Sequence, residues 1–528
     1  MQAASVPAIN PAATAVTAFV GRTLRGPLDR PVKVDSFADF QRHFGGLWQP
    51  SMLSYAVAQF FERGGRSALI VRVANGARSV SVTLPGPAGP LRLRGLNPGT
   101  RECLRAAVDY DGIPEGDDEQ FNLVLQRLEQ PGTELIEDQE IFPRISVRSD
   151  AERSVIEALG KSRLVRLEGP LPAARPAETA RHDAAPGTVY IASAADGDDG
   201  GEISDYDVIG SDEQGTGLAA LIGCAERFGL LCIPPLARER DVGLVAWLVA
   251  ARLCRDRQAL LLVDPPRDWD SADQALASLR DWPLNSTDAC MFYPRLTLPD
   301  RLRGRAEVFA PCGTVAAMIA VADARTPPWY QDNWSIEHIH SPAQLAVSVS
   351  DSQRERLARM GVNTLRTVRG GATQPTELLA LMPERTVYDE MRRLPARRLT
   401  QCIVASVMDG TRWALLEAPD ATLWQRLRAQ VEVFLESCAQ QGAWPDDGSG
   451  ERYFVICDEQ LNMPAARGRA LQVLFGFAPL QASSFISYLL THTADATTAR
   501  PVSVNRGLAH LRRAPVQLGG QLSQGSFT

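Results

Sequence analysis

Several short patterns in the sequence contain residue types that could bind a nucleotide or a metal ion. Residues 160–162, Gly-Lys-Ser, match the end of a phosphate-binding P-loop, but the full pattern requires an earlier glycine where this chain has Val155. His338 and His340 would point to the same face of a strand, as two ligands of one metal ion can. No third ligand is evident in the neighbouring sequence. We therefore interpret the two patterns as an ordinary helix end and a surface histidine pair.

A glycine string in the middle of the chain is a second candidate for nucleotide binding. Gly215, Gly217 and Ala220 have the spacing of the GxGxxA variant of the dinucleotide-binding fingerprint. In that fingerprint a strand precedes the glycines, and residues 206–210 have a poor strand pattern. We interpret the string as a loop that caps a structural helix. A Rossmann-like, nucleotide-dependent oxidoreductase that uses these residues is the alternative function.

Carboxylates are dense between residues 197 and 207, as they are in a calcium-binding loop. The acidic residues are Asp198, Asp199, Glu202, Asp205 and Asp207. They lack the spacing and the terminal glutamate of an EF-hand, which favours a solvated acidic loop. The sequence also contains no GxSxG elbow, HExxH motif or protein-kinase signature. We predict no catalytic residue, no cofactor and no metal.

The composition is typical of a chain that folds in water as several domains. A length of 528 residues suffices for roughly three or four domains, and 45% hydrophobic with 22% charged residues is usual for globular proteins. A net charge of −7 argues against a nucleic-acid partner, which requires a basic surface. The apolar uncharged stretches 242–251 and 313–322 are about half as long as a membrane span. We therefore expect no membrane insertion.

The elements around these patterns form two α/β stretches. In the first, Ser36 begins a helix and the apolar run at 68–73 is typical of a buried strand. In the second, strands at 230–233 and 259–263 enclose a helix at 240–255. A strand, helix and strand in this order predict a parallel βαβ unit.

The remaining sequence predicts two further regions. Residues 77–207 contain short alternating segments separated by glycine, proline and acidic turns, which indicate an inserted β-rich domain. Residues 397–493 contain helices, one of them beginning at Asp420, followed by strands that end with the apolar run 485–490. We expect residues 494–528 to be a mobile tail.

Sequence motifs follow one another in a fixed order over most of residues 15–490. They include AFVGR at 18–22, RGP at 25–27, GLAAL at 217–221, DPP at 264–266, GTRWA at 410–414 and CDE at 457–459. In this order the motifs resemble those of contractile phage tail sheath proteins, a family that includes the sheaths of tailocins and of extracellular contractile injection systems.

The resemblance implies a multidomain α/β and α+β fold. It combines a tail-sheath-like core with an inserted β-rich domain and extended terminal arms. The implied division is an N-terminal arm (1–20), an α/β sheath core (21–76 with 208–396), an inserted β-rich outer domain (77–207), a C-terminal sheath domain with an arm strand (397–493) and a mobile tail (494–528).

The resemblance also implies a structural function without catalysis. Such a subunit polymerises helically around an inner tube and contracts to drive the tube through a target envelope. The implied partners are copies of the chain itself, an inner tail tube protein, and baseplate and tail terminator proteins. We expect assembly in a bacterial cytoplasm, as part of a virion tail or a released contractile particle. Phage tail, tailocin and extracellular injection system remain open.

Two sets of residues are candidates for contacts between subunits. The β-compatible run near the N-terminus contains Thr14, Val16 and Ala18, and the apolar run near the C-terminus contains Phe485, Ile486 and Tyr488. A free strand at a chain end tends to pair with a partner, so we predict that both runs enter neighbouring subunits as arms.

A second prediction concerns the inner tube, which the resemblance places against the C-terminal region. Four arginines of that region are candidates to face an acidic tube surface, and the alternative is that they are ordinary solvated side chains. They are Arg426, Arg428, Arg467 and Arg469.

Overall fold

The computed structural model of the chain describes most of its residues and leaves eleven short or terminal segments undescribed. The described ranges are 7–130, 132–179, 189–330, 334, 343–368, 371–384, 390–444, 452–462, 470–478 and 485–502. The strands in these ranges are β1 (Thr17–Gly21), β2 (Val32–Val34), β3 (Ala68–Arg72), β4 (Ser79–Leu84), β5 (Leu91–Pro98), β6 (Leu104–Asp109), β7 (Gln120–Leu128), β8 (Ile136–Ser146), β9 (Val165–Leu167), β10 (Ile191–Ala192), β11 (Leu230–Cys232), β12 (Leu260–Val263), β13 (Ala289–Tyr293), β14 (Leu296–Asp300), β15 (Arg305–Phe309), β16 (Gln344–Leu345), β17 (Val362–Thr367), β18 (Thr373–Pro375), β19 (Tyr453–Ile456), β20 (Leu471–Phe477), β21 (Ile486–His492) and β22 (Thr497–Val502).

The α-helices of the same ranges lie mostly between the strands of the central sheet and in the C-terminal region. They are α1 (Phe37–Phe44), α2 (Met52–Glu62), α3 (Val155–Gly160), α4 (Asp205–Ile209), α5 (Leu244–Arg257), α6 (Ala272–Ser278), α7 (Cys312–Arg325), α8 (Asp351–Arg359), α9 (Leu394–Gly410), α10 (Ala421–Gln440) and α11 (Glu459–Asn462). None of the described helices is both long and apolar enough to cross a bilayer.

A large sheet forms the centre of the molecule. Its strand order is β18-β17-β13-β12-β11-β1-β3-β2, and the strands from β17 to β3 pair in parallel. All residues of β1, β3, β11, β12 and β13 are buried. Hydrophobic side chains of α2 and α7 pack on one face of the sheet, and those of α5 and α6 on the other. Burial on both faces explains why these strands are apolar throughout, and the predicted parallel βαβ unit is confirmed by the β11–β12 pairing.

Local sequence signals fix several helix ends as predicted. The Ser36 hydroxyl accepts a hydrogen bond from the Asp39 backbone N–H at 3.0 Å, which starts α1. Gly45 ends the same helix with a φ of 86°, a conformation that favours glycine. At the other end of the chain, the Asp420 carboxylate accepts from the Leu423 N–H at 2.7 Å and starts α10.

The segment between β3 and α4 folds around a hydrophobic core of its own. Its strands form two antiparallel sheets with the orders β4-β5-β9 and β10-β6-β7-β8. Arg25, which follows β1, forms an ion pair with Glu137 of β8 at 2.9 Å. A buried arginine of the central sheet, Arg72, donates to the Pro98 carbonyl oxygen at 2.8 Å. These contacts fix the β-rich segment to the central sheet. A further small sheet, β15-β14-β16, lies next to α2 and α7.

The C-terminal region packs α9 and α10 against an antiparallel sheet with the order β19-β20-β21-β22. Strand β22 lies in the segment predicted as a mobile tail, so that prediction is wrong for residues 497–502. The β-branched residues Thr497, Thr498 and Val502 favour a strand, and a turn at 493–496 returns the chain alongside β21. Residues 503–528 lie outside the described part of the chain.

Candidate subunit interface

The N-terminal arm candidates Val16 and Ala18 lie inside this chain's own fold. Ala18 is fully buried in β1, where it pairs with Leu231 on one side and Leu69 on the other. The Val16 carbonyl oxygen accepts from the Gly229 N–H at 2.9 Å. Because both edges of β1 are paired within the chain, it cannot add to the sheet of a neighbour. The prediction that Val16 and Ala18 enter a neighbouring subunit is wrong for this structure.

Residues 7–14, which we name the N-terminal segment, precede β1 and lie along α9 and α10. Ile9 is only 8% exposed and packs in the core of the C-terminal region. Three hydrogen bonds hold the segment: Ala12 N to Ser406 Oγ at 2.8 Å, Gln430 Nε2 to the Pro7 carbonyl oxygen at 2.5 Å, and Arg398 Nη2 to the Thr14 carbonyl oxygen at 3.3 Å. Thr14, the third arm candidate, therefore contacts the C-terminal region of its own chain.

The C-terminal candidates also have partners within the chain. Ile486 and Tyr488 belong to β21, which pairs with β20 on one side and β22 on the other. The Tyr488 hydroxyl accepts from Arg397 Nη1 at 3.1 Å, and the ring of Phe485 lies 6.0 Å from that of Phe454. The prediction that β21 extends into a neighbour is wrong here, because β20 and β22 of the same chain already pair with both of its edges.

Strand β22 is one of the two edge strands of the C-terminal sheet, and β19 is the other. Strand β22 pairs only with β21 among the described residues, so its outer row of backbone groups faces away from the sheet. Ala499 packs towards the C-terminal core, while Thr498, Arg500 and Pro501 are exposed. Proline has no N–H to donate and is tolerated at edge strands. This strand has the geometry required to accept a further strand.

His492 connects β21 with β22 and with the end of α9. The imidazole is fully buried, with Nδ1 2.9 Å from Thr497 Oγ1 and Nε2 2.8 Å from Thr411 Oγ1. Burial, together with the nearby charge of Arg412, lowers the pKa of His492 to about 4. The neutral imidazole therefore holds the start of the edge strand at neutral pH.

Two buried ion pairs join the C-terminal region to the central sheet, and the sequence reasoning missed both. Arg397 donates through Nε to Asp288 Oδ1 at 2.9 Å, and Arg398 pairs with Asp323 of α7. All four side chains are nearly inaccessible to solvent. Burial of a charge is tolerated only when it is paired, so each partner depends on the other. The sequence did contain a signal for these buried ion pairs, namely two consecutive arginines inside the otherwise apolar start of α9.

The four tube-facing candidates divide into two described and two undescribed residues. Arg426 pairs with Glu417 at 2.6 Å and lies over the Trp413 ring at 4.9 Å. Arg428 pairs with Glu432 at 3.0 Å. Arg467 and Arg469 lie outside the described residues, so contact with a tube stays a prediction.

The glycine string does not have the surroundings of a dinucleotide site. Gly217 begins a short 3-10 turn, Gly217–Leu221, and its N–H donates to Asp29 Oδ1 at 2.8 Å. The element before the string is α4, whereas the fingerprint requires a strand. The N–H that would contact a phosphate is therefore bound to a carboxylate of the same chain.

The other patterns have structural partners where they are described. Lys161 pairs with Glu157 of α3 at 2.7 Å. In the acidic loop, Asp205 accepts from the Gly243 N–H at 2.8 Å and Asp199 from the Thr100 N–H at 2.8 Å. The described residues contain no group of three or more His, Cys, Asp or Glu that could hold a metal ion. His338 and His340 lie outside those residues.

Comparisons with known proteins agree with this architecture. No protein-family model matches the chain, and no curated protein matches its sequence. The solved sheath tail protein from Listeria innocua matches with a TM-score of 0.60 and 12% identity, covering 92% of this chain and 96% of that one. The sheath tail protein from Desulfitobacterium hafniense matches with a TM-score of 0.51 and 12% identity, covering 93% and 99%. The sheath of the extracellular contractile injection system PVC, in its contracted state, matches with a TM-score of 0.51 and 14% identity, covering 92% and 93%.

These likenesses define the chain as a multidomain protein with the fold of contractile-tail sheath proteins. The fold class expected from the sequence motifs is confirmed, because the match extends over the central sheet, the inserted β-rich region and the C-terminal region together.

Proposed function

We propose that the chain is the structural sheath subunit of a contractile tail or injection machine. The observation that carries the proposal is the likeness to a sheath tail protein over 92% of this chain and 96% of the other. Such a subunit polymerises helically around an inner tube and contracts to drive the tube through a target envelope, without catalysing a reaction. The oxidoreductase alternative lacks support, because the Gly217 N–H is bound to Asp29.

The partners follow from the same proposal. They are copies of this chain in a helical polymer of stacked rings, an inner tail tube protein, and baseplate and tail terminator proteins. Assembly takes place in a bacterial cytoplasm, before the particle is released. The proposal applies to a phage tail, a tailocin and an extracellular injection system alike.

The outer edge of β22 is the surface that we propose for contact between subunits, in place of the strands predicted from the sequence. A strand from a neighbour would bind through backbone hydrogen bonds worth roughly 1 kcal/mol each. Each contact is weak, but repetition along a helical polymer makes the assembly cooperative. The N-terminal segment would supply a second contact by domain swapping. In that arrangement the segment of one subunit packs on α9 and α10 of its neighbour.

Electron microscopy of the purified full-length chain tests the proposal. We expect long hollow cylinders or stacked rings, because an open heterologous contact repeats without closing. Discrete monomers across a range of salt and protein concentrations would contradict a sheath function. Nucleotide binding measured by calorimetry on the same sample would favour the oxidoreductase.

The tube contact is tested separately. Reversing the charge of Arg426, Arg428, Arg467 and Arg469 together should weaken co-assembly with the tube protein and reduce its salt dependence. Unchanged binding would mean that these arginines are ordinary solvated side chains. Sheath polymerisation without the tube is the control, and it should be unaffected.

A further inference from the structure

A small cavity lies where the N-terminal segment, the central sheet and α9 meet. Its lining includes Thr14 of the N-terminal segment, Gly229 before β11, Gln258 after α5, and Arg398 and Gln401 of α9. About 10 Å³ inside it is open to the centre of a water molecule. One enclosed water requires about 10–15 Å³ by this measure, so the cavity has room for a single water.

Three of the residues that line this cavity each have a buried polar atom with no hydrogen-bond partner among the described residues. These atoms are Gln258 Oε1, Arg398 Nε and Gln401 Oε1. Their residues are 7%, 1% and 3% exposed. A buried polar atom without a partner costs about 1–3 kcal/mol, so three in one cavity would be a large penalty.

The orientation of both amides is fixed by the bonds that their nitrogens make. Gln401 Nε2 donates to the Ala259 carbonyl oxygen at 2.7 Å and to Asp288 Oδ1 at 3.2 Å. Gln258 Nε2 donates to the Arg255 carbonyl oxygen at 2.8 Å. Turning either amide over would place its oxygen against another acceptor. The two oxygens are therefore committed as acceptors, and neither can donate to the other.

The arginine contributes the complementary group. Arg398 Nη2 is occupied by Asp323 and by the Thr14 carbonyl oxygen, while the Nε hydrogen remains to be donated. The three unpartnered atoms are thus one donor and two acceptors. A water molecule accepts one hydrogen bond and donates two, which matches this set.

We propose that the cavity is a binding site for one structural water, which accepts from Arg398 Nε and donates to Gln258 Oε1 and Gln401 Oε1. The water connects the end of α5 with α9. It also completes the bonding of the arginine that holds Thr14, so it stabilises the N-terminal segment on the C-terminal region.

A crystal structure of the full-length chain, at a resolution that shows ordered solvent, tests the site directly. We expect one density peak within hydrogen-bond distance of all three atoms. A cavity without density, or a peak that contacts only one of the three atoms, would overturn the proposal. Neither result depends on polymerisation, so a failure here is distinguishable from a failure of the proposed function.

A double-mutant cycle provides a second measurement in solution. Gln258→Met and Gln401→Met each remove the acceptor oxygen together with the amide donor, and they nearly preserve side-chain volume. We expect each variant to speed amide hydrogen exchange in the N-terminal segment. The double variant should show a fold-change smaller than the product of the single ones, because the first substitution already releases the shared water.

The matched control pairs Gln401→Met with Gln430→Met. Gln430 is also buried in the C-terminal region, but its amide is occupied by Trp413 and by the Pro7 and Gly410 carbonyl oxygens. The fold-changes of this pair should multiply. If the fold-changes of Gln258→Met and Gln401→Met multiply as well, the two amides share no water.

Discussion

The two ends of this chain both contain a β-compatible run, yet the fold uses them in opposite ways. The N-terminal run becomes β1, a fully buried strand with a parallel neighbour on each side. The last described run becomes β22, which has one neighbour and lies at the edge of the C-terminal sheet. A strand's role in assembly therefore depends on its pairing, because only an edge strand has free backbone groups to offer.

Substitution by proline should produce the largest difference in folding between the two ends of the chain. Ala18→Pro removes a ladder donor from the middle of the central sheet, where proline is essentially not found, and we expect the chain to fail to fold. Ala499→Pro changes the edge strand β22 instead. Position 499 lies two residues before Pro501, so its backbone nitrogen faces the same side of the strand as that proline, which has no N–H. The Ala499→Pro variant should fold but polymerise poorly. Circular dichroism and electron microscopy measure the two effects, and a stably folded Ala18→Pro protein would contradict the central position of β1.

Removing Arg398 should cause the next largest loss in the free energy of unfolding. Arg398→Met leaves the buried Asp323 carboxylate unpaired, which typically costs about 3–5 kcal/mol. Arg428→Met breaks an exposed pair and should cost less than about 1 kcal/mol. Denaturant unfolding compares the two variants. Equal destabilisation would show that the Arg398–Asp323 pair is not buried in solution.

The N-terminal segment should contribute a measurable packing energy of its own. Ile9→Ala removes a side chain that is only 8% exposed, and we expect a loss of roughly 2 kcal/mol in unfolding free energy. Val433→Ala, at a position that is 71% exposed, is the control and should have almost no effect. An unchanged stability of Ile9→Ala would mean that the segment does not pack on its own chain.

At neutral pH the smallest expected effect lies at the C-terminal end, where a pH dependence of stability develops only in acid. Because the pKa of His492 falls from 6.5 to about 4 on folding, the unfolded chain takes up a proton more readily. The stability supplied by the neutral imidazole is full above pH 6.5 and is lost as the pH falls towards 4. His492→Asn cannot titrate, so its unfolding free energy should decline less over this range. Parallel pH profiles for the two proteins would contradict the lowered pKa.

Local patterns in the sequence were enough to predict most helices and strands and the fold class. Short-range signals, such as the caps at Ser36 and Asp420 and the apolar runs of β11 and β12, need only neighbouring residues, so they predicted helices and strands close to those observed. The ordered motifs likewise indicated the sheath fold that the structural comparisons confirm.

Which strands lie at an edge, and which polar side chains are buried, became known only from the folded chain. Thr17 pairs with Leu230, and Arg397 pairs with Asp288, across separations that no local pattern encodes. A β-compatible run has the same composition whether its partner is a distant segment, a neighbouring subunit or water. Hydrogen-bond pairing and charge burial depend on which distant segments of the chain pack against a residue, and those segments are not neighbours in the sequence.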